Sequence, residues 1–507
     1  MLYKIFKENI MKLTKIALAL ATLLASTQAF AAPVTAAQIT AARTAGTLQQ
    51  AWISGATAPT KSVYEGWVGS GAGVGCDVDT NTIFTSQALA NTSVIPGSLG
   101  NFTAYACTRA GVVSVLYHTL DGGSLMYVAP HTVGVRLARV KFAGTGNGCT
   151  GSLNYVDATN ADNNATVFKS CTLIGTSLPA AGANPTFNAA NAAAVAADSL
   201  APSLPVGGFS DVEAALWPAA IGGGDVSSKG AEASANVGQA FGVVASRPLY
   251  RAMQVAQGIA ANTDALDPSF DPANAPNITS AQYTSLIAQG GTYQTDWSPI
   301  VGATGVGKKV IVARRVQTSG TQASSTAFFL KNPCTTAVGA NLNPATSADS
   351  TPTFEVFEGS GTGNVKTRIT TATNAATDNF AVGVVSAEND WRVETAASGQ
   401  NGYRFLKVDG VHPEAGDTAN ARATATAGTY TFHMEMKNFV ANTATGFGAL
   451  VVGQITTALS TPPVTSCAVL PRGLTINPLA GSSCTVGVQV AKGTNQGNNC
   501  APVLLTQ

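Results

Sequence analysis

The chain has 507 residues, with 28 Lys and Arg against 27 Asp and Glu and a formal net charge of +1. A balance this close to neutral gives no electrostatic reason to bind nucleic acid or an anionic membrane surface. Charged residues are only 11% of the total, well below the roughly 25% of ordinary globular domains, and Ala, Gly, Thr, Ser and Asn take their place.

The N-terminus reads as an export signal. Lys12 and Lys15 form a basic flank, residues 16–25 an apolar run too short to span a bilayer, and Ala29-Phe30-Ala31 a small-x-small cleavage site. Cleavage after Ala31 is expected, with the mature chain periplasmic or secreted; residues 11–31 alone make a complete signal, so Met11 is an alternative start. No cysteine follows the cleavage site to take a lipid anchor, and no later stretch is long and apolar enough for a membrane span. Without the leader, which holds four lysines and one glutamate, 24 basic side chains face 26 acidic ones. The remainder is too long for one ordinary core, so two or three lobes are expected.

Eight cysteines, all beyond the leader, read as disulfides in an exported chain. Local pairing predicts Cys76–Cys107, Cys149–Cys171 and Cys467–Cys484, leaving Cys334 with Cys500. Zinc is excluded because no two cysteines stand at C-x₂₋₄-C spacing.

Residues 48–53 read as a strand ending in the turn Ser54-Gly55-Ala56-Thr57-Ala58-Pro59, with a helix pattern through Val63, Tyr64 and Trp67. Residues 112–117 are an apolar strand, followed shortly by Asp121-Gly122-Gly123-Ser124. Residues 143–205, poor in charge and rich in Asn, Ala and Gly, read as an insertion stapled by Cys149 and Cys171. Pro205-Val206-Gly207-Gly208-Phe209-Ser210-Asp211 is a second strand-to-turn signal; Asp211 stands before the apolar run 212–216 as a helix cap would. Further strands are expected at 241–246, 380–385 and 429–436, a short helix at 278–287, a polar loop at 335–352, and a Cys-, Gly- and Pro-rich tail after Pro462. Strands alternating with helices imply an α/β architecture.

The most informative stretch is Arg315-Val316-Gln317-Thr318-Ser319-Gly320-Thr321, between an apolar strand at 309–313 and a helix pattern at 322–330. A guanidinium, small hydroxyls and a glycine at a helix N-terminus present free N–H groups and a favourable dipole to an oxyanion.

These residues resemble the phosphate-binding periplasmic proteins of ABC transporters and their DING relatives. Gly55-Ala56-Thr57-Ala58-Pro59 with Tyr64 and Trp67 is similar to the family's first phosphate loop and helix, and Asp121-Gly122-Gly123-Ser124 to its Ser-bearing second loop. Gly208-Phe209-Ser210-Asp211 resembles its G-x-S-D loop and residues 315–321 its R-x-D-x-S-G-T loop; weaker likenesses lie at 286–297, 379–385 and 427–436. The likeness spans about residues 48–460. It departs at Gln317, where the family has an acidic residue, at Ala58, where a larger residue is usual, and at 121–124, which lacks a double serine.

The resemblance implies a two-lobed type II periplasmic-binding fold closing about a hinge: lobe 1 at 32–240, lobe 2 at 241–425, a return to lobe 1 at 426–460 and a disulfide-rich tail at 461–507. It implies that Arg315, Ser319, Gly320 and Thr321 hold phosphate or a related oxyanion from one lobe, and that Thr57, the Ala58 amide and Ser124 hold it from the other. Asp211 would accept the proton that distinguishes phosphate from sulfate, since a carboxylate facing a fully deprotonated anion is repulsive. A permease partner is implied as well. The low charge, the 143–205 stretch and the tail fit an alternative: a secreted surface protein reusing the fold without a transport ligand.

No enzyme, cofactor or metal is expected. The run 302–309 imitates a phosphate-binding P-loop, but Lys309 stands where Ser or Thr must be, and the run precedes a strand instead of following it. The glycines at 69–75 lack a βαβ context. His118, His131, His412 and His433 have no metal-ligand spacing, and no G-x-S-x-G elbow occurs.

Overall fold

A computed structural model describes residues 32–69, 75–87, 100–142, 148–156, 165–178, 188–259, 271–290, 295–335, 340–346, 353–392, 402–460, 467 and 470–506. The expected export signal at 1–31 lies outside these residues, as do parts of the 143–205 stretch and of the 335–352 loop.

In chain order the first strands are β1 (Gln49–Gly55), β2 (Thr82–Thr85), β3 (Phe102–Arg109), β4 (Val112–Thr119), β5 (Arg139–Val140), β6 (Cys149–Val156), β7 (Ala165–Cys171), β8 (Leu173–Ile174) and β9 (Gly207–Ser210). Then come β10 (Gly230–Ser246), β11 (Asn277–Ile278), β12 (Val310–Arg315), β13 (Phe354–Gly359), β14 (Ala381–Ser386) and β15 (Tyr403–Phe405). The last are β16 (Lys407–Val408), β17 (His433–Ala441), β18 (Leu474–Ile476), β19 (Gly493–Thr494) and β20 (Leu504–Leu505).

Fourteen of these strands form one sheet with the path β13-β12-β14-β10-β17-β9-β1-β4-β3-β2-β7-β6, with β15 and β18 also on β10. It contains two parallel blocks, β9-β1-β4 and β13-β12-β14. Between them run the antiparallel strands β10 and β17. The fold is therefore mixed α/β with a large central sheet.

Parallel strands covered on both faces need side chains that tolerate complete burial, and β12 and β14 are buried at every position. In β1 the two faces serve different cores: Trp52 joins one apolar cluster, while Ala51 and Ile53 join another with Val63, Tyr64 and Trp67 of the helix Thr60–Val68. That is the period-two alternation of a strand meeting the one-turn spacing of a helix. Each large side chain buried there contributes about 1.5–3 kcal/mol.

β10 belongs to both blocks. Residues 230–240 pair with β17, and from Phe241 onward the partner is β14. A register shift lies between Ser234 and Gly238, with Asn236 at φ +61°. The strand expected at 429–436 is shifted: β17 covers His433–Ala441. Within the 143–205 stretch, β6 and β7 extend the sheet beyond β2.

All four disulfides pair as the spacing predicts: Cys76–Cys107, Cys149–Cys171, Cys334–Cys500 and Cys467–Cys484. Among the described residues no helix is long and apolar enough to cross a membrane.

Candidate functional site

Turns at the carboxyl ends of the two parallel blocks meet. Gly55 ends β1 at φ +128°, and a Cβ there would collide with the Phe209 carbonyl, so glycine is needed for β1 and β9 to end side by side. The Ala56 amide then donates to the Phe209 carbonyl at 2.8 Å. Thr57 follows on the wall of a cavity, whereas Ala58 is buried in the apolar cluster with Trp67. After β4, Gly122 and Gly123 take φ +84° and +80° and turn the chain so that Ser124 is buried.

Asp211 follows β9. Its Oδ2 accepts the Ser124 hydroxyl at 3.0 Å, and its buried Oδ1 has no hydrogen-bond partner among the described residues. Burial raises its pKa from 3.8 to about 6, against the opposing pull of the Ser124 hydrogen bond and the Arg315 charge. It does not cap a helix, since the next helical element is a three-residue 3₁₀ turn, Ala214–Leu216.

From the other block, β12 ends at Arg315 and the helix Gly320–Leu330 begins five residues on. The strand-to-helix hand-over stands as the apolar run implied. Gly320 packs directly on Asp211 and Ser124, leaving no space for a Cβ. The Leu125 amide donates to the Thr318 carbonyl at 3.0 Å, and the Trp217 indole N–H to the Gln317 carbonyl at 2.9 Å. Three turns distant in sequence are thus in contact. Ser319 and Thr321 are buried beside Gly320; Ser319 sits at the helix N-cap position without a side-chain capping bond.

Arg315 is 6% exposed. Its Nη1 donates to Thr362 Oγ1 at 2.8 Å and its Nη2 to the Ser360 carbonyl at 3.0 Å, while its buried Nε has no hydrogen-bond partner among the described residues. Burial lowers its pKa to about 10, with Asp211 and Glu388 pulling it back up, so it is a cation at neutral pH.

A cavity of about 1450 Å³ opens beside these turns, walled by Thr57, Asp121, Trp217, Arg315, Gln317 and Thr318 among others. Of the residues singled out in the sequence, Arg315 and Thr57 line it; Ser124, Asp211 and Gly320 form the contact behind it; Ala58 faces a core instead. Asp121 is also on the wall, where its Oδ2 accepts the Leu178 amide at 2.6 Å and burial raises its pKa.

Sequence reasoning missed Trp217, Glu388 and the turn Ser360-Gly361-Thr362-Gly363-Asn364, which holds Arg315 and opens the helix Thr362–Asn374. Its signal was present: a small-residue, Gly-rich run directly after the strand-like residues 354–359. Among the described residues no group of three or more His, Cys, Asp or Glu is placed to hold a metal.

No protein-family profile matches the chain, and no curated protein matches it. Among solved structures it is similar to a protein of Clostridium perfringens assigned as a phosphate ABC transporter substrate-binding protein and solved with bound phosphate. Identity is 14%, over 48% of this chain and 70% of that one, with a TM-score of 0.27. A likeness this distant leaves the functional reading to the residues themselves.

Proposed function

We propose that this is an exported solute-binding protein, not an enzyme, that captures phosphate or a related oxyanion in a cleft between two lobes. The observation that carries the reading is that Arg315 and Asp211, from opposite blocks of the sheet, are close enough to act on each other's charge. One is a buried cation with an unsatisfied N–H; the other is a buried carboxyl with a raised pKa and an unsatisfied oxygen. Together they suit an anion that brings negative charge to the guanidinium and a proton to the carboxylate, as hydrogen phosphate does and sulfate does not. The N-terminus of the eleven-residue helix Gly320–Leu330 adds its dipole beside them.

In this reading residues 32–240 and 426–460 form one lobe and 241–425 the other, with β10 and β17 as the crossing strands and the β10 register shift as the flexing point. The change of partner on β10 at residues 240–241 supports that division. Thr57, the Ala58 amide and Ser124 act from the first lobe; Arg315, Ser319, Gly320 and Thr321 act from the second. Because Gly320 rests on Asp211 and Ser124, the anion enters by parting the turns and releasing the Leu125–Thr318 hydrogen bond.

Charge-assisted hydrogen bonds contribute about 1.5–3 kcal/mol each. About five of them supply the ~8 kcal/mol of micromolar affinity after ordering costs. Titration calorimetry of the exported chain, stripped of bound phosphate by refolding, tests the proposal. Heat on phosphate addition, absent in Arg315→Ala, is expected; no heat from the unaltered chain overturns it.

A further inference from the structure

The C-terminal tail makes a third connection between the two blocks of the sheet, in addition to β10 and β17. Its start is fixed to the β12–β14 side: Arg472 donates to the Ala387 carbonyl and pairs with Glu414, and the Gly473 amide donates to the Asn420 carbonyl at 2.7 Å. β18 then pairs with β10 at Val237–Gln239, beside the register shift.

Further on, the tail grips the other side. Glu435 of β17 accepts from the Thr494 hydroxyl and from the amides of Asn495 at 3.1 Å and Gly497 at 2.8 Å. Asn499 is buried between Glu435 and Glu213. Its side chain donates to Glu213 Oε2 at 2.5 Å and its amide to Glu213 Oε1 at 2.9 Å. Glu213 is only two residues beyond Asp211.

The next residue, Cys500, is bonded to Cys334. Cys334 lies just beyond the helix Gly320–Leu330, whose first turn carries the anion-facing residues. Glu213, Asn499, Cys500 and Cys334 therefore tie the segment that carries Asp211 to the C-terminal end of the helix that Gly320 opens. Two residues span at most about 7 Å when fully extended, so the tail adds little slack between Glu213 and the disulfide, and the eleven-residue helix, about 16 Å long, carries the restraint on to Gly320. The far end of that helix cannot leave Glu213 unless the Asn499–Glu213 bonds or the disulfide give way, so the turns can part only by pivoting the helix about that anchored end.

We infer that the tail is a covalent tether restraining the opening of the cleft, so that the protein retains its anion instead of cycling it through a permease. The restraint follows from the tail's contacts; the retention rests on the anion-binding reading above. A shuttle must open at a membrane partner on every cycle, and a tether across the two lobes opposes that step. Loosening the tether speeds opening more than closing, so the open population and the rate of anion release both rise.

The two parts are tested separately. Hydrogen exchange at the Leu125 amide, which bridges the turns to Thr318, reports opening without any ligand. The variant is Cys334→Ser with Cys500→Ser, and Val243 in the β10 core is the control. Exchange of Leu125 at least about tenfold faster with Val243 unchanged is the expected result. Unchanged Leu125 exchange overturns the tether. If Val243 accelerates too, Asn499→Ala, which keeps the disulfide and frees the tail from Glu213, decides by the same criterion.

Release of radiolabelled phosphate is then followed from both chains. Release about tenfold faster from the double variant supports retention, and equal rates overturn it. A chain that takes up no phosphate overturns the anion reading and retention together, while the exchange result still decides the tether.

Discussion

Asp211→Asn is the most revealing substitution, because burial and charge act on this side chain in opposite directions and burial wins. Moving its pKa from 3.8 in the unfolded chain to about 6 in the fold corresponds to about 3 kcal/mol of proton linkage. The folded state binds the proton more tightly. This contribution is therefore fully present below pH 3.8 and is lost as pH rises through about 6. Above that, the folded chain holds a buried carboxylate whose Oδ1 finds no donor. Asparagine removes the charge and can still accept the Ser124 hydroxyl. The variant should match the parent within about 1 kcal/mol at pH 4 and exceed it by up to about 3 kcal/mol at pH 8. Denaturant midpoints, with disulfides intact and at one-unit pH steps between those limits, give the difference from the shared slope. Parallel curves would show that Asp211 has no raised pKa. A parent that gains on the variant as pH rises would show that Arg315 outweighs burial, and the argument for a proton-accepting site would fail.

Other outcomes follow from the same contacts. Arg315→Ala removes the buried guanidinium and should weaken phosphate binding by at least about 100-fold in calorimetry; Arg315→Lys, a point charge without the planar fork, should restore only part of it. Gly320→Ala places a methyl against Asp211 Oδ2 and Ser124 Oγ. It should cost about 1–3 kcal/mol by overpacking and speed exchange of the Leu125 amide, which an unchanged rate would contradict. Glu435→Ala leaves the Thr494 and Asn495 donors without their acceptor and the Gly497 amide with Asn495 Oδ1 alone. At about 1–3 kcal/mol for each buried donor left unsatisfied, the tail should become the first site of limited proteolysis, and a tail still as resistant as the parent's would contradict its anchoring there.

Much of the fold was legible wherever local chemistry decides it. The run 309–313 is apolar and β-branched, and the Ser-Gly-Thr turn after it can only open a helix. Three disulfides paired by proximity because short loops bring their own ends together, and the fourth, Cys334–Cys500, took the two cysteines left over. What stayed hidden depends on distant partners. The first half of β10, Gly230-Ala231-Glu232-Ala233-Ser234, is polar and helix-tolerant; it is a strand because β17, two hundred residues on, supplies its ladder. β6 and β7 escaped notice because their stretch is poor in large apolar residues, yet β7 only needs the backbone of β2. At the site, the turns carrying Arg315, Asp211 and Ser124 could be read from glycines and hydroxyls at strand ends. That Arg315 is gripped by Ser360 and Thr362, and that Asn499 braces Glu213, could not, because small polar residues bear no mark of their partner.

The most direct measurement is a crystal of residues 32–507 grown with arsenate, an oxyanion of phosphate's shape, with its position fixed by anomalous scattering. The account predicts one strong peak within about 4 Å of both the Arg315 guanidinium and the Asp211 carboxyl, the distance of an arsenic whose oxygens hydrogen-bond both, with the 315–321 turn drawn back from Ser124. Arsenate bound elsewhere in the chain, with Gly320 still resting on Asp211, would contradict it.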